Sequence, residues 1–204
     1  MLTEYSTYDD IRKFRDKAWE KFNKMYDGWL HSKIYRQTLE WHRHSDAVKK
    51  GRYKSIYSDF TVDNQVVRYN IAPQFNRDGT VSKELFGVAL GTEVPMRRRT
   101  LYYRFNGRDI EIMTTHYLRR FTERSDFKYR IPIKYAKVAR YRRDGEIFEY
   151  LVFLNYIMIT KRLAPDILFF KTFLHRDIIT GRNHKELIAR AERGVDYDDI
   201  YEWK

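Results

Sequence analysis

The chain has 204 residues, with 40 Lys and Arg against 28 Asp and Glu, a formal net charge of +12 and no cysteine. Its length suits one well-buried core, or a core with a helical extension. The absence of thiols excludes disulfides, thiolate zinc sites and cysteine nucleophiles, and fits a reducing, intracellular setting. Residues 97–143 alone hold fifteen Lys and Arg against four Asp and Glu. A field focused in this way attracts polyanions, nucleic acid being the commonest.

The N-terminus, Met1-Leu2-Thr3-Glu4-Tyr5, lacks the basic and apolar regions of a secretory leader. The apolar-rich run Tyr150 to Thr160 is too short to span a bilayer. The expectation is a cytoplasmic protein, or one of the host cytoplasm if phage-encoded, with no membrane partner.

In chain order, Ile11, Phe14, Ala18, Phe22, Met25 and Trp29 recur at steps of three or four, which predicts an amphipathic helix from Tyr8 to His42, broken near Gly28. Ser6 or Thr7 caps it, and Asp9 and Asp10 favour the positive end of its dipole. Its stripe of Phe14, Phe22 and Trp29 packs in the core or against a protein partner. Short β-branched and aromatic runs follow at Val66–Ile71, Leu85–Leu90, Thr100–Phe105 and Asp109–Met113, with Asn106-Gly107 as a hairpin signal.

A short helix is expected over Thr115–Arg124, capped by Thr114 or Thr115. Strands resume at Tyr135–Tyr141 and Ile147–Phe153 around Asp144-Gly145, and at Tyr156–Lys161 and Ile167–Phe173 around Ala164-Pro165-Asp166. A last helix opens at Asn183 in a capping box with Glu186 and ends before Gly194; Asp196, Asp198, Asp199 and Glu202 form an acidic tail. The fold class is α+β: a largely antiparallel sheet packed with a short basic helix, a long N-terminal amphipathic helix and a C-terminal helix. The division read from the sequence is a helical extension at 1–60 and a basic α+β domain at 61–204, the two forming one compact unit.

The short helix carries the chemistry. At 100° per residue, His116, Arg120 and Arg124 fall within about 80° of one another, beside an apolar face of Tyr117, Leu118 and Phe121. Guanidinium forks hold phosphate, and an imidazole moves protons near neutral pH. That set suffices for cleavage of RNA without metal or other cofactor, the 2′-hydroxyl attacking the adjacent phosphate. The plain alternative is a solvated face in which Glu123 pairs with Arg119 or Arg120.

The string His116-x-x-x-Arg120-Phe121-x-Glu123-Arg124 resembles a signature of small proteins related to the RelE and BrnT toxins and of phage and mobile-element proteins. Lys171-Thr172-Phe173-Leu174 is similar to the strand that follows it there. The resemblance covers 109–179. It implies a short helix on a small antiparallel sheet and a metal-independent endoribonuclease, with His116 as acid or base, Arg120 and Arg124 on the scissile phosphate and Lys171 assisting. The long N-terminal helix and the strands from Val66 to Phe105 have no counterpart in a minimal toxin.

Further nucleic-acid-binding candidates are Arg97, Arg98 and Arg99 with Tyr103 and Arg104, which pair phosphate contacts with stacking surfaces. Arg119 on the helix and Arg140, Arg142 and Arg143 around the second hairpin join them. Arg36…His42 matches the spacing of a helical ribonuclease family but lacks its all-helical context, and His42-x-His44 lacks a third metal ligand. Pro165-Asp166 is not followed by the carboxylates that magnesium needs. Phosphate-binding glycine loops and serine-nucleophile motifs are absent. The alternative to an RNA-binding ribonuclease is a non-enzymatic basic interaction protein, phage-encoded or virion-associated.

Overall fold

The computed structural model describes residues 1–30, 33–44, 56–75, 81–97, 99–125 and 133–203. It is an α+β fold whose strands are largely antiparallel, divided into two compact units, Met1–Arg108 and Asp109–Lys204.

In the first unit the helical region is two helices, α1 (Tyr8–Leu30) and α2 (Lys33–His44). Gly28, where a break was expected, lies inside α1. Thr7 and Asp10 begin α1 as a reciprocal box. The Thr7 amide and hydroxyl both donate to the Asp10 carboxylate, at 2.9 and 2.7 Å, and the Asp10 amide donates to Thr7 Oγ1 at 3.2 Å. Donors that would otherwise be orphaned at a helix start are thereby satisfied, and the Thr7 hydrogen bonds lower the Asp10 pKa.

Ile11, Phe14, Ala18 and Phe22 of the predicted stripe are buried, whereas Met25 is exposed. Four antiparallel strands follow: β1 (Ile56–Val62), β2 (Gln65–Phe75), β3 (Val81–Pro95) and β4 (Thr100–Asn106). Phe22 meets Tyr69 and Phe60 with ring centroids 5.3 and 6.5 Å apart, and Phe14 meets Phe105 at 6.0 Å. The N-terminal helix thus shares one core with β1–β4. The unit division falls after Arg108, not after residue 60, because those aromatic contacts join the two segments.

Strand β1 is an addition to the sequence reading. Its turn is Asp63-Asn64, with φ of 46° and 61°, a pair of left-handed residues suited to a two-residue hairpin.

The second unit has strand order β5-β9-β8-β7-β6-β10. Its strands are β5 (Asp109–Thr114), β6 (Lys137–Arg143), β7 (Glu146–Phe153), β8 (Tyr156–Ala164), β9 (Ile167–His175) and β10 (Ile200–Glu202). β6 through β9 form an antiparallel meander, while β5 joins β9 and β10 joins β6 in parallel. Asp144 and Gly145, at φ 52° and 76°, make the β6–β7 turn. Helix α3 (Thr115–Arg124) follows β5 directly, and α4 (Arg182–Arg193) lies on a core of Tyr141, Phe148, Tyr150, Val152, Ile157 and Ile159 through Leu187, Ile188 and Ala191.

The start of α4 differs from the capping box expected at Asn183. The N-cap is Gly181, with no side-chain cap, and Asn183 accepts a hydrogen bond from the Tyr201 hydroxyl at 2.9 Å. Asn183 is engaged from outside the helix by the C-terminal segment. The helix ends as expected, at Gly194 in the left-handed region (φ 69°), a conformation glycine adopts without a Cβ penalty. Among the described residues no helix is long and apolar enough to cross a membrane.

Candidate nucleic-acid interface

Helix α3 has ten residues, shorter than the roughly 12–15 at which isolated helices become even marginally stable. Local capping and a tertiary seat hold it. Thr114 is the N-cap, its hydroxyl accepting from the Tyr117 amide at 3.1 Å. Tyr117 and Phe121 are buried. Tyr117 packs on Phe170 and Phe173 of β9 at 5.0 and 6.0 Å, and Phe121 stands edge-on to Phe173 at 5.4 Å.

That seat turns the polar residues outward. His116 is exposed, with Nε2 3.3 Å from the Thr172 hydroxyl on β9. Arg119 is 61% exposed and Arg120 34%; they share Glu123, at 3.6 and 3.4 Å. One carboxylate between two guanidiniums leaves excess positive charge. Arg124 donates from Nη1 to the Phe173 carbonyl at 3.2 Å. It tethers the last turn of α3 to β9 and keeps its charge, since the acceptor is neutral. With Arg119, Arg120 and Arg124 against Glu123, the helix is formally +2.

Lys171 is placed elsewhere. The β8–β9 register pairs Ile159 with Thr172 and Thr160 with Phe170, so Lys171 is the extra residue of a β-bulge. Its ammonium lies over the Phe148 ring at 4.6 Å. The hydrogen bond from Lys161 lowers the Glu146 pKa, and the charge of Lys171 adds a smaller push in the same direction. Of the four residues expected to act together, His116 and Arg120 are presented on α3, Arg124 is committed to β9, and Lys171 reaches toward β7.

The other candidates separate by burial. Tyr103 is 5% exposed and belongs to the core of the first unit, which removes it as a stacking surface. Burial raises its pKa, partly offset by Arg99. Arg97 and Arg99 are exposed on the turn before β4, with Arg97 3.9 Å from Glu4. Arg104 is half-buried on β4, and Arg98 lies outside the described residues.

The hairpin arginines are held by the acidic tail. Arg140 Nη1 lies 3.7 Å from Asp198 and donates to the Tyr197 carbonyl at 3.3 Å, and its guanidinium sits 4.4 Å from the Tyr197 ring centroid. Arg142 meets Glu202 at 2.8 Å; Arg143 lies 3.5 Å from Asp144 and over the Trp203 ring.

A polar cluster that the sequence did not reveal lies nearby. Glu149, 2% exposed on β7, receives Arg162 Nε and Nη2 on its two oxygens at 2.8 and 3.0 Å, and the Tyr197 hydroxyl donates to it at 2.6 Å. The carboxylate raises the Arg162 pKa through those hydrogen bonds. On α4, His184 Nδ1 is 3.0 Å from the Tyr150 hydroxyl, and burial lowers the His184 pKa, with Arg143 acting in the same direction. Neither pair has a local spacing that a reader of the sequence would recognise, because each joins residues far apart in the chain. Among the described residues no three His, Asp or Glu side chains gather into a group able to hold a metal ion.

No family model, no curated protein and no solved structure matches this chain.

Proposed function

We propose that this protein binds nucleic acid, and that its second unit engages the phosphodiester backbone of RNA through the exposed face of α3. The observation that carries the reading is the division of labour within that helix. Tyr117 and Phe121 are spent on β9, while His116, Arg119 and Arg120 face outward with a formal excess of positive charge. Guanidiniums bind phosphate in bidentate fashion and give salt-sensitive affinity. Photo-crosslinking to a single-stranded oligoribonucleotide followed by peptide mapping tests this. Crosslinks are expected within 115–124, and their absence there with attachment elsewhere refutes the assignment.

A second reading, metal-independent cleavage of that RNA, is favoured by one contact. The Thr172 hydroxyl bonds Nε2 of an exposed imidazole beside a guanidinium, an arrangement that orients a proton-transfer group. In it the 2′-hydroxyl oxygen attacks phosphorus, the 5′-oxygen leaves and a 2′,3′-cyclic phosphate forms. His116 takes the 2′-hydroxyl proton, Arg120 stabilises the charge on the phosphorane, and the departing 5′-oxygen takes a proton from water to become the 5′-hydroxyl. Product formed in EDTA by wild type and lost in His116→Ala supports this reading; equal rates in the two proteins refute it.

A further inference from the structure

The C-terminal segment Asp196–Trp203 pairs acidic and aromatic side chains, one after another, with basic residues of β6 and α4. Asp198 meets Arg140, Glu202 meets Arg142, and Asp199 meets Arg190 at 2.5 Å. Tyr197 lies under Arg140, Tyr201 under Arg190 and Trp203 under Arg143. Carboxylates on guanidiniums interleaved with rings are the contacts that phosphates and bases of a single strand make with a protein.

Two kinds of contact hold the segment: Tyr201 and Trp203 pack on the core of the second unit, the Trp203 ring centroid lying 5.1 Å from Tyr141 and 4.8 Å from His184, and the ion pairs lie nearer the surface. None of residues 195–203 is buried, and β10 pairs with β6 over only three residues, Ile200 to Glu202. The Asp198 side chain is 92% exposed and that of Glu202 59%. Only the Arg142–Glu202 pair is exposed on both sides, and such a pair adds little to stability; the guanidiniums of Arg140 and Arg190 are 19% and 15% exposed beneath the segment.

We propose that the segment Asp196–Trp203 occupies a second phosphodiester-binding face, made by Arg140, Arg142, Arg143 and Arg190, and that a nucleic-acid strand displaces it to reach those arginines. This rests on the reading of the chain as a nucleic-acid-binding protein and adds to it an intramolecular competitor. Displacement exchanges carboxylate–guanidinium pairs for phosphate–guanidinium pairs, while the Tyr197–Glu149 and Tyr201–Asn183 hydrogen bonds set a threshold that a weak anion does not cross. The competitor is tethered, so its effective concentration is high and only a multivalent ligand overcomes it.

The test compares wild type with the full-length variant Asp198→Asn, Asp199→Asn, Glu202→Gln for binding to a single-stranded uridine oligonucleotide across a salt titration. A control variant, Asp9→Asn, Asp16→Asn, Glu20→Gln, changes the net charge equally on exposed positions of α1. Freeing two or three arginines is expected to tighten binding about tenfold at low salt and to steepen the salt slope by about 1.4–2. The control is expected to change little. Adding Arg140→Gln and Arg142→Gln to the first variant is expected to abolish the gain. In wild type, the Trp203 amide, bonded to the Arg142 carbonyl at 3.0 Å, is expected to lose hydrogen-exchange protection when oligonucleotide is added.

An equal gain in the control, or no gain in the tail variant, overturns the proposal. Wild type binding through α3 with no gain in the tail variant refutes the competitor alone. Wild-type affinity unchanged by loss of Arg119 and Arg120, together with a gain in the tail variant, refutes the role of α3 alone, and no binding by any protein refutes both.

Discussion

Replacing Phe121 with alanine tests whether α3 exists because of its seat on β9. The side chain is 8% exposed, edge-on to Phe173 at 5.4 Å and stacked on Tyr117 at 6.4 Å. Truncating a buried phenylalanine costs about 3–5 kcal/mol, which includes the transfer term and the cavity left behind. Against a total stability of about 5–15 kcal/mol for a domain, that is a large fraction. With a urea m-value of about 1–3 kcal/mol/M, a loss near 3 kcal/mol lowers the midpoint by about 1–3 M. Phe121→Leu keeps most of the volume but loses both ring pairs, and should cost about 1.5 kcal/mol or less. Urea unfolding read together with hydrogen exchange is the assay. In Phe121→Ala the amides of α3 should exchange faster by at least the factor seen in β7 and β8, and RNA affinity should fall with them. A loss below about 1 kcal/mol with unchanged exchange in α3 would show that Thr114 and the Arg124 tether hold the helix without its aromatic face.

Thr114→Ala removes the acceptor of the Tyr117 amide and should cost about 1 kcal/mol by thermal unfolding, with Thr114→Ser close to wild type. Glu149→Gln breaks the charge pair with Arg162. Because the Arg162 side chain is 41% exposed and can rehydrate, the loss should be about 2 kcal/mol, below the roughly 3–5 of a fully buried pair; an unchanged melting temperature would contradict the geometry. The folded pKa of His184 is lowered from 6.5 by burial, so in this window the unfolded chain binds more protons than the folded one. The stability contributed by neutral His184 is therefore complete above about pH 6.5 and is lost as pH falls through the lower, folded pKa. Melting temperatures from pH 7.5 to 5 should show that decline in wild type and a shallower one in His184→Gln; parallel curves would refute it.

What was legible in the sequence was local. Thr114 before an alternating charged and apolar stretch located α3, and Asp144-Gly145 located the β6–β7 turn, because capping and hairpin chemistry reside in adjacent residues. Strand β1 was missed although Asp63-Asn64 marks its turn. Tyr57-Ser58-Asp59 puts three exposed residues in a row, which erases the alternation that identifies a half-buried strand.

The parallel pairings of β5 with β9 and of β10 with β6 join segments far apart in sequence, so no window of residues records them. The same holds for the site. The outward residues of α3 follow from helical periodicity, but the bulge that sends Lys171 toward Phe148, the Arg124 tether and the tail's hold on Arg140 and Arg142 depend on what lies across the sheet. Tyr103 shows the limit from the other side: in a strand of alternating burial, its neighbours alone do not tell which face is inward.

The proposed binding of nucleic acid at α3 has a direct test. Fluorescence anisotropy with a labelled single-stranded oligoribonucleotide in EDTA tests it most directly, comparing wild type with Arg119→Gln, Arg120→Gln and with Arg97→Gln, Arg99→Gln. Binding at α3 requires at least about a tenfold loss and a salt slope shallower by about 1.4 for the α3 pair, and a smaller loss for the other. Equal affinities for wild type and the α3 variant would contradict it.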